Sequence, residues 1–220
     1  MEIAVPHTEA ERKIKTATAK RSLLWLGIVS MVMLFAGITS GYIVRQGEGK
    51  WLQFALPNLF IVSTLIIIIS SATMQWALTA VKKNKLGSMN LALVLTTILG
   101  TAFVLFQYLA WKQLVAQGIY FVGSIGDVHT TGTTYIASGN ETLEEARSIG
   151  NVAASFLYVI TGLHVAHLLG GLLALLFVNI KAARRKYSGA NFNGLRICAT
   201  YWHFLTGLWI YLFLFLWYIR

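Results

Sequence analysis

Five stretches of this chain contain no Asp, Glu, Lys or Arg, and each is long enough to cross a bilayer: Ser22–Val44, Phe54–Val81, Met89–Trp111, Val152–Ile180 and Ile197–Ile219. A membrane's hydrocarbon core takes roughly 20 apolar residues to span as a helix. Within it every backbone N–H and C=O must find a partner inside the protein, which a helix supplies from its own segment. Five such windows point to an all-α fold, a polytopic membrane helix bundle with five transmembrane helices. Charged residues make up only 12% of the 220 residues, against about a quarter in an ordinary soluble domain. The chain therefore divides into a charged tail over residues 1–21 and one membrane domain over 22–220, with no soluble domain and no internal repeat. The first apolar run follows that tail and is long enough to span, so it reads as a retained helix rather than a cleaved signal peptide.

The 18 basic residues outnumber the 8 acidic ones, and their placement follows the membrane rather than a nucleic acid. Arg12, Lys13, Lys15, Lys20 and Arg21 precede the first span; Lys82, Lys83 and Lys85 lie between the second and third; Lys181, Arg184, Arg185, Lys186 and Arg196 lie between the fourth and fifth. These segments share one side. The other side has Arg45, Lys50, Lys112, Arg147 and Arg220. The positive-inside rule then puts the N-terminus in the cytoplasm and the C-terminus outside. No nucleic-acid partner is implied.

The loops at Arg45–Gln53, Lys82–Ser88 and Lys181–Leu195 are short, so consecutive helices should be antiparallel neighbours. The segment Lys112–Asn151 is longer and rich in Gly and Thr. A loop of that length is often functional or an interface, but its composition does not say which. Within it Thr142 and Glu145 have the spacing of a capping box, which predicts a short helical turn before the fourth span. The sequon at Asn140-Glu141-Thr142 is taken as a chance match.

Carboxylates and amines at membrane depth are usual marks of ion and proton paths. Their absence from the five windows argues against a self-contained transporter. What remains at depth is His164, His167 and His203, several tyrosines and Cys198. A lone buried cysteine usually behaves as a small hydrophobe. His164 and His167, in TGLHVAHLLGG, lie about 60° apart on one helix. A haem held between helices needs axial ligands on different helices, so His203 would have to pair with one of them. A closed zinc site would lack a fourth ligand. The alternative is that the imidazoles hydrogen-bond to neighbouring helices. The same helix has Gly162, Ala166, Gly170 and Ala174 at intervals of four, a ridge of small residues that permits close backbone approach, centred roughly 110° from the histidines. Gly37 and Gly41 form a shorter version on the first span. Trp and Tyr at the ends of the last span fit interfacial belts, and Trp209, nearer its middle, reads as a packing residue.

Two motifs, TGLHVAHLLGG and YWHFLTGLW, occur in order and together resemble subunit III of the haem–copper oxidases, chiefly cytochrome c oxidase. In that family a T-G-[FL]-H-x-x-H-x-x-x-G stretch is followed by Y-W-H-F in the last helix. The first span, LLWLGIVSMVMLFAGITSGYIV, is similar to the family's W-L-F-I-V-S-E-V-M-F-F-A-G segment. Phe106, Gln107, Trp111 and Leu114 resemble the end of a further family helix. The likeness runs from Arg21 onward. Larger members have seven helices, and this chain begins at what resembles their third. The family's membrane glutamate corresponds to Met31, and the acidic residue that often follows Y-W-H-F-V corresponds to Thr206.

The resemblance implies a short, five-helix form of an accessory, cofactor-free subunit that braces catalytic subunit I and supports proton uptake in a proton-pumping oxidase of aerobic respiration. Catalytic, cofactor-binding and metal residues are then none in this chain. His164, His167, Gly170, Trp202, His203, Gly37 and Gly41 become packing or interface residues. Haem and copper are expected in partner subunits I and II, with bound phospholipid and a larger respiratory supercomplex as further associations, in the inner membrane of a bacterial cell. Two alternatives stand beside this reading. The chain is the equivalent subunit of a quinol oxidase or nitric oxide reductase, or it is a haem-b membrane anchor using His203 with His164 or His167.

Overall fold

The computed structural model describes residues 9–47, 56–117, 119, 121, 143–185, 187 and 192–219. Five helices follow one another, α1 (Glu9–Gln46), α2 (Leu59–Lys82), α3 (Leu86–Ala116), α4 (Leu143–Ala183) and α5 (Asn193–Tyr218), and no strand occurs among the described residues. Each is long and apolar enough to cross a membrane.

The helices overrun most of the apolar windows. α1 begins at Glu9, inside the charged tail, and α4 begins at Leu143, so the helical turn expected before the fourth span is continuous with it. Thr142 and the sequon lie outside the described residues. α2 is the exception: it starts at Leu59, after the window's first residues. Pro57 fixes φ and has no N–H, and it sits just ahead of the first turn, where its carbonyl accepts from Phe60 N–H at 3.0 Å.

α2 and α3 form the most extensive helix pair, joined by a turn of three residues. Lys85 N–H donates to Ala80 C=O and Asn84 N–H to Val81 C=O, both at 3.0 Å. That is the paired cap of a Schellman motif, with Asn84 at φ 54° in the left-handed position such a cap requires. Around this hairpin α3 packs on α4, α4 on α5, and α5 back on α2, so four helices close a ring. α1 touches only α4 and α5 and lies outside the ring.

The ring's centre is filled from α5. Trp202 and Trp209, seven residues apart and so on one face, are both fully buried. Phe60 stacks on Trp209 at 6.2 Å, and Phe103 meets it edge-on at 5.0 Å. Outside the ring, α1 is fastened at two levels: Thr39 and Tyr211 share a hydrogen bond of 3.2 Å, and Gln46 Nε2 donates to the Ile219 carbonyl. Most of its large side chains, including Leu23, Leu26, Met33 and Val44, face outward.

Candidate functional site

With no carboxylate, amine or guanidinium in the five windows, the interior chemistry falls to hydroxyls, amides, indoles and imidazoles. Unpaired polar groups are costly in hydrocarbon, so each is expected to find a partner. Most do, some with carbonyls of their own helix and others across helix seams. Trp202 Nε1 donates to Ser70 Oγ at 3.2 Å, and Ser70 Oγ donates to the Thr96 carbonyl at 3.2 Å, which ties α5, α2 and α3 together. Thr73 and Thr96 share a bond of 2.8 Å between α2 and α3. Trp209 Nε1 donates to Thr64 Oγ1 at 2.9 Å, and Trp111 Nε1 to Thr161 Oγ1 at 3.1 Å. Asn179 on α4 reaches Thr97 on α3 at 2.9 Å.

The three histidines are in three different settings. His203 Nδ1 and Ser71 Oγ share a bond of 2.6 Å between α5 and α2. His167 Nδ1 donates to the Leu163 carbonyl of its own helix at 2.7 Å, with its ring 5.8 Å from that of Phe35 on α1. His164 is fully buried, and neither ring nitrogen has a hydrogen-bond partner. Its ring lies against Trp209 at 5.0 Å and Phe103 at 6.0 Å. Of the three, then, only His203 bonds a neighbouring helix, where the sequence suggested that all would.

The rings of Trp209 and Phe103 lie against His164, which is fully buried. Among the described residues, no three His, Cys, Asp or Glu side chains group so that they could hold a metal. Ser71 with His203 is half of a nucleophile–base arrangement, yet the spans offer no carboxylate to orient the imidazole. The bond joins α2 to α5.

The expected small-residue ridge lies elsewhere than in the bundle's tight seams. A Cβ on Gly162, Gly170 or Gly37 would meet nothing within 4 Å, and one on Gly41 would only touch the Phe156 ring at 3.8 Å. The glycines that closely approach the Trp202 indole are Gly100 on α3 and Gly171 on α4, whose added Cβ atoms would stand 2.7 and 3.4 Å from it. Those two, and the hydroxyls of Thr64, Ser70 and Ser71, were missed at the sequence level. Nothing about their spacing separates them from the chain's other small residues. Met31 is buried, and Thr206 donates to the Trp202 carbonyl of its own helix at 3.1 Å.

At the end where α1 and α5 begin and α4 finishes, Arg21, Trp25, Arg196 and Thr200 line a cavity of about 100 Å³. Beside it, a groove of about 350 Å³ runs between Leu24, Phe177, Val178 and Tyr201, with Lys181 on its wall. Cationic residues of the tail and the last connection thus meet at one end of the bundle.

Residues 133–220 match the family model described as cytochrome c oxidase subunit III. A protein of Mycobacterium leprae named probable cytochrome c oxidase subunit 3 is 28% identical over 203 residues, covering 90% of this chain and 86% of its own. The cytochrome c oxidase subunit 3 of Corynebacterium diphtheriae is 26% identical, covering 86% and 82%. A probable quinol oxidase subunit 3 of Staphylococcus saprophyticus is 25% identical, covering 86% and 83%.

Proposed function

We propose, from the membership of the haem–copper oxidase subunit III family that the matched model and the curated relatives support, that this chain is the accessory, cofactor-free subunit of a proton-pumping cytochrome c oxidase. In this reading it braces subunit I beside subunit II and supports proton uptake, with the N-terminus cytoplasmic, in the plasma membrane of a bacterial cell. The observation that carries the reading is a bundle interior made of neutral hydrogen bonds and aromatic packing. Such an interior can hold shape, and its spans contain no carboxylate or amine. The chain's job would then be mechanical and would be performed through its outer surface.

The basic cavity at Arg21 and Arg196, which shares Leu24 and Ile197 with the apolar groove between α1, α4 and α5, supports a bound phospholipid: a phosphate suits the guanidiniums and an acyl chain suits the groove. The likeness to a quinol oxidase subunit 3 favours one second reading, in which the same bracing role serves a quinol-oxidising complex. Deleting the chain and purifying the remaining oxidase tests the role. Oxygen reduction should begin at near-normal rate and then decay faster during turnover than in the complete complex. A haem signal travelling with this chain alone would instead revive the membrane-anchor alternative.

A further inference from the structure

Two fully buried polar side chains, one on α3 and one on α4, have no hydrogen-bond partner: Gln107, through both Nε2 and Oε1, and His164, through both ring nitrogens. They lie at one level. Gln107 is one helical turn from Phe103, whose ring meets that of His164, and one turn from Trp111, whose indole bonds Thr161 on the same turn of α4. A neutral imidazole has one donor and one acceptor, and a primary amide has two donors and an acceptor. A direct bond between them would satisfy one atom on each and leave the others unpaired.

The surrounding donors are already engaged. Trp111 N–H goes to Thr161, the Thr161 hydroxyl to the Leu157 carbonyl, Trp209 N–H to Thr64, and the Thr64 hydroxyl to the Phe60 carbonyl. No neighbouring side chain among these can supply a proton to Gln107 Oε1 or to the acceptor nitrogen of His164. Water can: it donates twice and accepts twice, and buried waters characteristically make about three bonds to otherwise unpaired polar groups. We propose that the α3–α4 seam holds an internal water site in which water bridges the amide of Gln107 to the imidazole of His164. The water would add a polar tie between the third and fourth spans, beside the direct Trp111–Thr161 bond, without any charge at depth.

The test is water-edited solid-state NMR on the full chain in lipid bilayers, with nitrogen-15 in the His rings, Gln side chains and Trp indoles. Polarisation should pass from water protons to the His164 ring at least twice as fast as to the Trp209 indole, which is equally buried but bonded to protein. His164 is assigned by the signal lost in His164→Phe. Gln107→Leu should slow transfer to His164 and leave transfer to His203 unchanged. Should a variant fail to fold, the wild-type comparison of His164 with Trp209 still decides. Transfer to His164 no faster than to Trp209, or a direct Gln107–His164 contact with no water transfer, would overturn the proposal.

Discussion

Gly100 and Trp202 fit each other so closely that a single methyl group on the glycine would stand 2.7 Å from the indole Cη2. The indole cannot swing away, because its Nε1 is held by Ser70 on α2 and its other side is flanked by Gly171 on α4. Gly100→Ala should therefore strain the ring of four helices, costing about 1–3 kcal/mol as overpacking does in a filled core. Gly171→Ala, whose nearest contacts are side-chain atoms at 3.1–3.4 Å, should cost less. Gly162→Ala should cost nothing. Unfolding of the purified chain in mixed micelles with increasing SDS would rank the three, and equal midpoints for Gly100→Ala and Gly162→Ala would reject the account.

The bond from Trp209 to Thr64 is one of three side-chain fastenings of α5 to α2, beside Trp202 with Ser70 and His203 with Ser71. Thr64→Val keeps the shape and removes the acceptor, leaving the indole N–H buried in an apolar surround. In membrane bundles such bonds couple by about 0.6 kcal/mol on average. A cycle of Thr64→Val, Trp209→Phe and the double variant should return a coupling of that order in the same unfolding assay. A coupling indistinguishable from zero would mean that packing with Phe60 and Phe103 alone holds the indole.

The gathering of Arg21, Lys181 and Arg196 around adjoining cavities supports placing that end in the cytoplasm, where basic residues concentrate. A periplasm-dependent alkaline phosphatase fused after Arg220 should be active, and one fused after Lys85 inactive. The reverse pattern would invert the bundle.

The number and type of elements were legible because the windows carry a compositional signal that hydrocarbon enforces on every residue. Boundaries were less so, since helix continues past the membrane wherever charged residues such as those at the start of α1 also tolerate it. The ring itself left almost no mark in the sequence. Trp202 and Trp209 share a face by spacing, but whether a glycine receives them depends on helices meeting from distant parts of the chain. The Gly162–Ala174 ridge is the converse case. Its regular spacing announced a packing surface, while Gly171, one residue away, is the glycine this chain packs against.

That displacement of one residue bears on where a partner docks. Gly162 and Gly170 have open space beyond them, and with Ala166, Leu169, Leu173 and Phe177 they give α4 an outward apolar face at helical spacing. Gly37 on α1 is open in the same way. Between helices in lipid there is little hydrophobic drive, so close backbone approach and dispersion contacts decide association. A large side chain at an open glycine should leave this chain's own fold intact and disturb only what packs against it from outside. Gly170→Leu and Gly37→Leu should therefore unfold at the wild-type SDS midpoint, in contrast to Gly171→Leu, which pushes into Leu205 and Tyr201. If the oxidase-subunit reading holds, one of the two outward variants should also be lost from the purified complex, which would still reduce oxygen at first and then inactivate sooner. Retention of both at normal stoichiometry would place the partner on another face, while loss of fold in Gly170→Leu would show that α4 has no free side there.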